Sequence, residues 1–200
     1  MTPPTAARAR PKLWLVRHGQ TQWSDNGRHT GRTDLPLDTR GKQQAEGLRR
    51  LLAARPFARV LSSPLQRAVE TCRLAGYGQQ VEYVDTLVEW DYGDYEGITT
   101  EEVRRDRPGW LIWNDGVPNG ETVEQVGKRA DRLLQALADT DGDVALFGHG
   151  HMLRVLAARW LDLPAANGRL FALDAASVSR LDYEHDLPVI GQWNRLPAQE

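Results

Sequence analysis

The sequence predicts an α/β fold in which helices cover a mainly parallel sheet. Three observations carry this. Leu13-Trp14-Leu15-Val16 and Val144-Ala145-Leu146-Phe147 are compact apolar runs of strand length that read as fully buried strands. Stretches of helical periodicity separate such runs, the arrangement of a parallel sheet joined by helical crossovers. Both runs also end alike, in His18-Gly19 and His149-Gly150. Ligands of open α/β sheets bind beyond the carboxyl ends of the strands, so these two strands aim two imidazoles into one crevice. Arg17 beside the first makes that crevice attractive to an anion.

Each element follows in turn. A strand at Lys12 to Val16 leads into a polar, glycine-punctuated loop from His18 to Asp38, and so long a loop inside a compact domain marks function or disorder. A helix from Arg40 to Ala54 carries Ala45, Leu48, Leu51 and Leu52 as its apolar stripe and is stopped by Pro56. Arg59 to Ser62 is the second strand. Ser63-Pro64-Leu65-Gln66 opens the next helix, with Ser63 as cap, Pro64 in the first position and Gln66 completing a capping box. That helix runs to Ala75 and ends at Gly76 to Gly78; Gln80 to Val84 is a third strand. Asp85 to Gly120 is irregular and aromatic-rich, with a short helix at Thr100 to Arg105 bounded by Pro108. Thr122 to Ala138 is helical, with Val123, Val126, Ala130, Leu133, Leu134 and Leu137 on one face. Asp143 to Phe147 is the fourth strand and His151 to Leu161 another helix. Alternation over Ser177 to Tyr183 and Val189 to Trp193 predicts a closing pair of strands.

Two hundred residues fit one domain, here 12–200 behind a disordered tail at 1–11, large enough to bury about 70% of its unfolded surface. A net charge of −2 gives no bias toward nucleic acid or a membrane, and neither is expected as a partner. The single cysteine, Cys72, excludes an internal disulfide and reads as a buried thiol rather than a nucleophile. The longest apolar runs are too short to span a bilayer, and Met1 to Pro11 lacks an apolar core of signal-peptide type. The cytoplasm is the expected location.

A neutral imidazole attacks phosphorus without first losing a proton, provided it is kept unprotonated and aimed. A neighbouring cation such as Arg17 serves the first need, and a hydrogen bond from the other ring nitrogen serves the second. A transferring phosphoryl group spreads charge over three equatorial oxygens, which cationic donors stabilise; His149, if protonated, is one.

The chain resembles the histidine phosphatases, the family that includes the cofactor-dependent phosphoglycerate mutases. Leu15-Val16-Arg17-His18-Gly19-Gln20-Thr21 matches the amino-terminal signature, and Thr30-Gly31-Arg32-Thr33-Asp34 the loop after it. Ser62-Ser63-Pro64-Leu65-Gln66-Arg67-Ala68, Glu89-Trp90-Asp91-Tyr92-Gly93, Gly120-Glu121-Thr122 and Gly148-His149-Gly150-His151 follow in family order. The resemblance implies a three-layer α/β/α sandwich of the phosphoglycerate mutase-like kind over 12–200, working without a metal or other cofactor. It implies that His18 accepts the phosphoryl group, that Arg17, Arg67 and His149 complete the phosphate cradle, and that Glu89 donates a proton to the leaving oxygen. That last role needs a carboxyl protonated at the working pH. Gly19, Ser24, Thr30, Gly31 and Gly150 are implied as further phosphate contacts. His29, Ser63, Tyr92 and Arg154 are expected at the substrate rim, and His185 in a surface turn.

Departures narrow the expectation. Ser24 and His151 stand where many mutases have asparagine, and Trp90 where they have a basic residue. The segment between Gly97 and Gly120 is shorter than the mutase lid and lacks its arginine pair. A mutase must retain its bisphosphate intermediate and exclude water, so a trimmed lid favours hydrolysis. Trp23-Ser24, the run Glu89 to Gly97 and Ile112-Trp113-Asn114-Asp115-Gly116 most resemble the sedoheptulose-1,7-bisphosphatase-type branch and the related bacterial acid phosphatases. The expected activity is hydrolysis of a small phosphorylated metabolite, a sugar phosphate or bisphosphate, in a chain that could form a homo-oligomer. The alternatives are a cofactor-dependent phosphoglycerate mutase, a non-catalytic phosphoprotein-binding module, and a metal site built from His149 and His151.

Overall fold

In the computed structural model, which describes residues 10–53 and 55–198, a six-stranded sheet runs in the order β3-β2-β4-β1-β5-β6. Its strands are β1 (Leu13–Arg17), β2 (Arg59–Ser62), β3 (Val81–Tyr83), β4 (Val144–Gly148), β5 (Val178–Glu184) and β6 (Leu187–Arg195). The first four are parallel, whereas β5 and β6 form an antiparallel hairpin on the β1 edge. His185 and Asp186, both with positive φ, make its tight turn.

Alternation along β1 divides the interior into two cores. Leu13 and Leu15 pack with Val126, Ala130 and Leu133 of α6 (Val123–Leu137) and Leu153 and Leu156 of α7 (Gly150–Trp160). Trp14 and Val16 face the other way, toward Leu48 and Leu52 of α2 (Thr39–Leu52) and Cys72 of α3 (Gln66–Leu74). The result is the three-layer α/β/α sandwich expected. Three shorter helices complete the fold: α1 (Gln22–Asp25), within the loop after β1, α4 (Thr100–Asp106) and α5 (Ile112–Asp115).

Register places the site. Arg17 pairs with Gly148 and Ser62 with Phe147, so His18, Ser63 and His149 leave three adjacent strands at nearly one level. The two His-Gly ends therefore do converge.

Several expectations are corrected. The α3 opening forms no Ser63 capping box: Leu65 is the N-cap without a side-chain bond, and Asp34 caps the helix from the preceding loop by accepting from Gln66 N at 2.8 Å. The first long helix starts at Thr39, where Asp38 accepts from Gly41 N, and closes at Leu52 with Ala53 left-handed; the expected end, Ala54, lies outside the described residues. Residues 1–9 of the expected tail also lie outside them. Arg10 and Pro11 are described, with the Arg10 guanidinium 5.1 Å over the Tyr183 ring and Pro11 buried. Asp85 to Gly120 is irregular as expected, yet it buries Leu87, Trp90, Tyr92, Val103, Trp110, Ile112 and Trp113. No helix among the described residues is long and apolar enough to cross a membrane.

Candidate active site

His18, the first residue past β1, is only 4% exposed. Its Nδ1 lies 2.7 Å from the Gly19 carbonyl oxygen, which can only accept, so Nδ1 carries the proton and Nε2 keeps the lone pair. Nε2 has no hydrogen-bond partner among the described residues, and His18 lines a pocket of about 230 Å³. Burial above all, then the charges of Arg67 and Arg17, holds its pKa well below the usual imidazole value. The ring is thus neutral, oriented and open at the nucleophilic nitrogen. Gly19 is itself fixed: its N–H donates to Thr71 Oγ1 at 3.0 Å, and Thr71 donates back to the Arg67 carbonyl at 2.7 Å. A Cβ at Gly19 would lie 2.3 Å from the Gly41 carbonyl oxygen, so only glycine lets this loop pack on the start of α2.

His149 is the first residue past β4, with its ring centroid 5.1 Å from that of His18. Arg67 Nε donates to its Nδ1 at 3.1 Å, which makes Nδ1 the acceptor and puts the ring proton on Nε2, 2.8 Å from Ser63 Oγ. Burial first, then Arg67 and His18, keeps this ring uncharged as well. The Arg67 guanidinium is fully buried and also donates to the carbonyls of Thr33, Thr30 and Gly31. It ties the loop after His29 to α3 and, through His149, to β4.

Glu89 lines the same pocket as His18. Its Oε1 accepts from Met152 N at 2.8 Å and Trp90 N at 2.9 Å, and its Oε2 from His151 N at 3.0 Å. The carboxyl is thereby seated on the N-terminus of α7, where the helix dipole favours negative charge. Asp91 and Asp94 turn away: Asp91 accepts from Gly93 N and lies 3.7 Å from Arg32, and Asp94 accepts from Asn119. Arg17 donates to the Leu173 carbonyl and leaves its buried Nε without a partner. Among the described residues Arg17, Arg67 and Arg154 form no ion pair with a carboxylate. Three guanidiniums around one carboxylate, Glu89, leave excess positive charge that suits an anion.

The comparisons agree with this geometry. Residues 13–196 match the family model described as histidine phosphatase superfamily (branch 1). The chain belongs to the histidine phosphatase superfamily. It is 41% identical over 187 residues to an acid phosphatase of Mycobacterium tuberculosis, covering 90% of this chain and 92% of that one. It is 37% identical over 186 residues to the sedoheptulose 1,7-bisphosphatase of Saccharomyces cerevisiae, covering 76% and 68%. The solved structure of a Mycobacterium tuberculosis open reading frame superposes with a TM-score of 0.88 at 39% identity, over 94% of this chain and 99% of that one. The family resemblance, the fold and the enzyme class, a histidine-type phosphatase, are borne out.

In this histidine phosphatase the pocket is lined by Arg17, His18, Ser24, His29, Thr30, Glu89, Tyr92, Gly150 and Arg154 of the residues expected from sequence. Five others stand behind its wall. Gly31 does not offer its N–H to a ligand, because Glu96 Oε1 takes it at 2.8 Å while Trp90 O stands where a side chain would be. The Gly19 N–H is likewise spent on Thr71, and Ser63 Oγ accepts from His149 Nε2 and from Leu65 N, so each orients a neighbour. Arg67 and His149 also sit behind, and His149 is a neutral ring rather than a protonated donor. Ser24 closes the Thr21 capping box of α1, and Thr30 Oγ1 donates to the Arg28 carbonyl.

Sequence reasoning missed Gly27, Arg28, Thr100 and Leu173 of the lining, and Thr71 beneath it. It placed His151 only as a departure or a metal ligand. Its Nδ1 instead shares a 2.6 Å hydrogen bond with the Tyr92 hydroxyl, and its ring sits against Trp113 and Trp90. Burial, then Arg154 and His29, keeps His151 neutral; burial, then the Glu89 charge, holds the Tyr92 hydroxyl protonated. Arg154 lies 4.8 Å over Trp113 and donates to the Gly168 carbonyl. Among the described residues no group of three or more His, Cys, Asp or Glu side chains is placed to hold a metal ion.

Proposed function

We propose that this histidine phosphatase hydrolyses a small phosphorylated metabolite, a sugar phosphate or bisphosphate, in the cytoplasm through a phosphohistidine on His18. One observation carries the reading: a neutral imidazole, pinned at Nδ1 and bare at Nε2, faces a pocket lined by Arg17 and Arg154, neither of them in a salt bridge among the described residues. Nε2 attacks phosphorus, forming the N–P bond as the ester P–O bond breaks. The ester enters as its monoanion, and Glu89 passes that phosphate proton to the departing oxygen, so no proton has to be stored on a carboxyl that the α7 N-terminus holds as an acceptor. Water then attacks the phosphohistidine, Glu89 takes a proton from it, and His18 and inorganic phosphate are released. Arg17 and the N-terminus of α7 at Gly150 offset charge on the equatorial oxygens. The Arg67 charge acts on the same oxygens from behind, and His149 holds Arg67 and Ser63 in place. Tyr92, His29, His151 and Arg154 present rings and donors to the organic part, and the pocket volume suits a molecule of sugar-phosphate size.

The test is phosphate release from a panel of sugar phosphates, sugar bisphosphates and an aryl phosphate, with and without a chelator. Release undiminished by the chelator supports the reading. Interconversion of 3-phosphoglycerate in the presence of 2,3-bisphosphoglycerate, without phosphate release, would establish a mutase instead.

A further inference from the structure

Arg129 lies in α6, outside the residues that line the pocket, yet its side chain is almost wholly buried. Guanidinium has five N–H donors, and here all five meet an oxygen. Nε and Nη2 grip the Glu121 carboxylate at 2.8 and 2.7 Å. Nη1 donates to the carbonyls of Thr86 at 3.0 Å and Val88 at 2.7 Å, and Nη2 to that of Glu89 at 3.3 Å. Glu121 completes the hold from the other side. Its Oε2 accepts from Asp91 N at 3.0 Å, and its carbonyl from Trp90 Nε1 at 2.8 Å. Burial acts to raise the Glu121 carboxyl, but the hydrogen bonds and charge of Arg129 outweigh it and keep the pair ionised.

The pair thus clamps the backbone on both sides of Glu89. Arg129 Nη1 also lies 3.4 Å from Sδ of Met152, the residue whose N–H holds Glu89 Oε1. Burying an ion pair in a core contributes little net stability, since desolvation offsets the attraction. Its specific product here is a fixed position for the Glu89 main chain and for the helix terminus opposite. Proton transfer needs such fixing, because a displacement of about 1 Å in a reacting group costs roughly a hundredfold in rate.

We propose that Arg129, locked to Glu121, is a positioning residue for the Glu89 carboxyl. This rests on the reading of Glu89 as the proton donor. The dependence of rate on leaving group separates the two claims. An alkyl phosphate needs a proton on its departing oxygen, whereas p-nitrophenyl phosphate expels a stable phenolate and hardly does. In Glu89→Gln the ratio of aryl to alkyl kcat/KM should rise by roughly 100-fold, within the range of general-acid effects. In Arg129→Met it should rise about tenfold, and in Arg129→Lys about threefold. Combined with Glu89→Gln, neither Arg129 change should raise the ratio further. Both substrates are read on one preparation, so a variant that is partly unfolded still gives its ratio. An Arg129 ratio equal to wild type, with both rates falling together, would leave Arg129 a purely structural residue and overturn the inference. No rise in the ratio for Glu89→Gln would overturn the proton-donor reading itself.

Discussion

His18 and His149 end neighbouring strands in the same dipeptide, and they are not equivalent. His18 spends Nδ1 on the next carbonyl and exposes Nε2 to the pocket. His149 spends both nitrogens, one on Arg67 and one on Ser63. Burial keeps each ring neutral, so charge state does not tell them apart. What separates nucleophile from support is which ring nitrogens the protein has already occupied. The same contrast holds among the arginines: Arg129 has all five donors on protein oxygens and Arg67 four of its five on His149 and three carbonyls, whereas Arg17 keeps an unpartnered Nε at the pocket.

The sharpest way to break this contrast is to remove each imidazole. His18→Ala should lower kcat roughly 10⁴-fold or more, as expected for loss of a nucleophile. His149→Ala should cost about 10²-fold, the scale of a supporting group displaced by about 1 Å, since Arg67 and Ser63 lose their common partner. Equal losses in steady-state assays would erase the distinction.

The neutrality of both rings is tested by pH. His18, His149 and His151 have depressed pKa values in the fold, so below about pH 6.5 the unfolded chain binds protons the folded one does not. Stability is therefore full above pH 6.5 and declines below it, by about 1.4 kcal/mol per pH unit for each ring until its folded pKa is reached. Denaturant titrations from pH 8 to 5 measure this. The acid limb of kcat/KM assigned to His18 should also lie well below 6.5, and a limb at the ordinary imidazole value would contradict the buried, cation-flanked setting.

Smaller effects sharpen the picture. Thr71→Val leaves the buried Gly19 N–H without its acceptor and should cost about 1–3 kcal/mol of stability in a melt. Ser63→Ala removes one bond from His149 and should change kcat by less than about tenfold. A Ser63 loss as large as that of His149→Ala would mean the hydroxyl itself meets substrate.

The convergence of the two histidines was legible because hydrophobic runs mark the strands and a parallel sheet brings their carboxyl ends together. Their division of labour was not, because it depends on Arg67 and Ser63 reaching His149 across more than eighty residues. Ser63 looked like a helix cap for local reasons, and the real cap, Asp34, comes from a distant loop. Glu89 was legible through its motif, but its seat on the N-terminus of α7 is a contact across more than sixty residues. Thr71 and Arg129 left a fainter signal. Arg129 follows Val126 by three positions on the apolar face of α6, and a charged residue there had to find buried partners.

The central claim is that His18, and not His149, carries the phosphoryl group. Turnover of a radiolabelled substrate is quenched in alkali, which spares phosphohistidine, and the labelled protein is cut with trypsin. Cleavage after Arg17 and Arg28 isolates His18 in peptide 18–28, apart from His149 in peptide 133–154. Label in 18–28 is the predicted result. Label in 133–154, or none at all under rapid quench, would contradict the account.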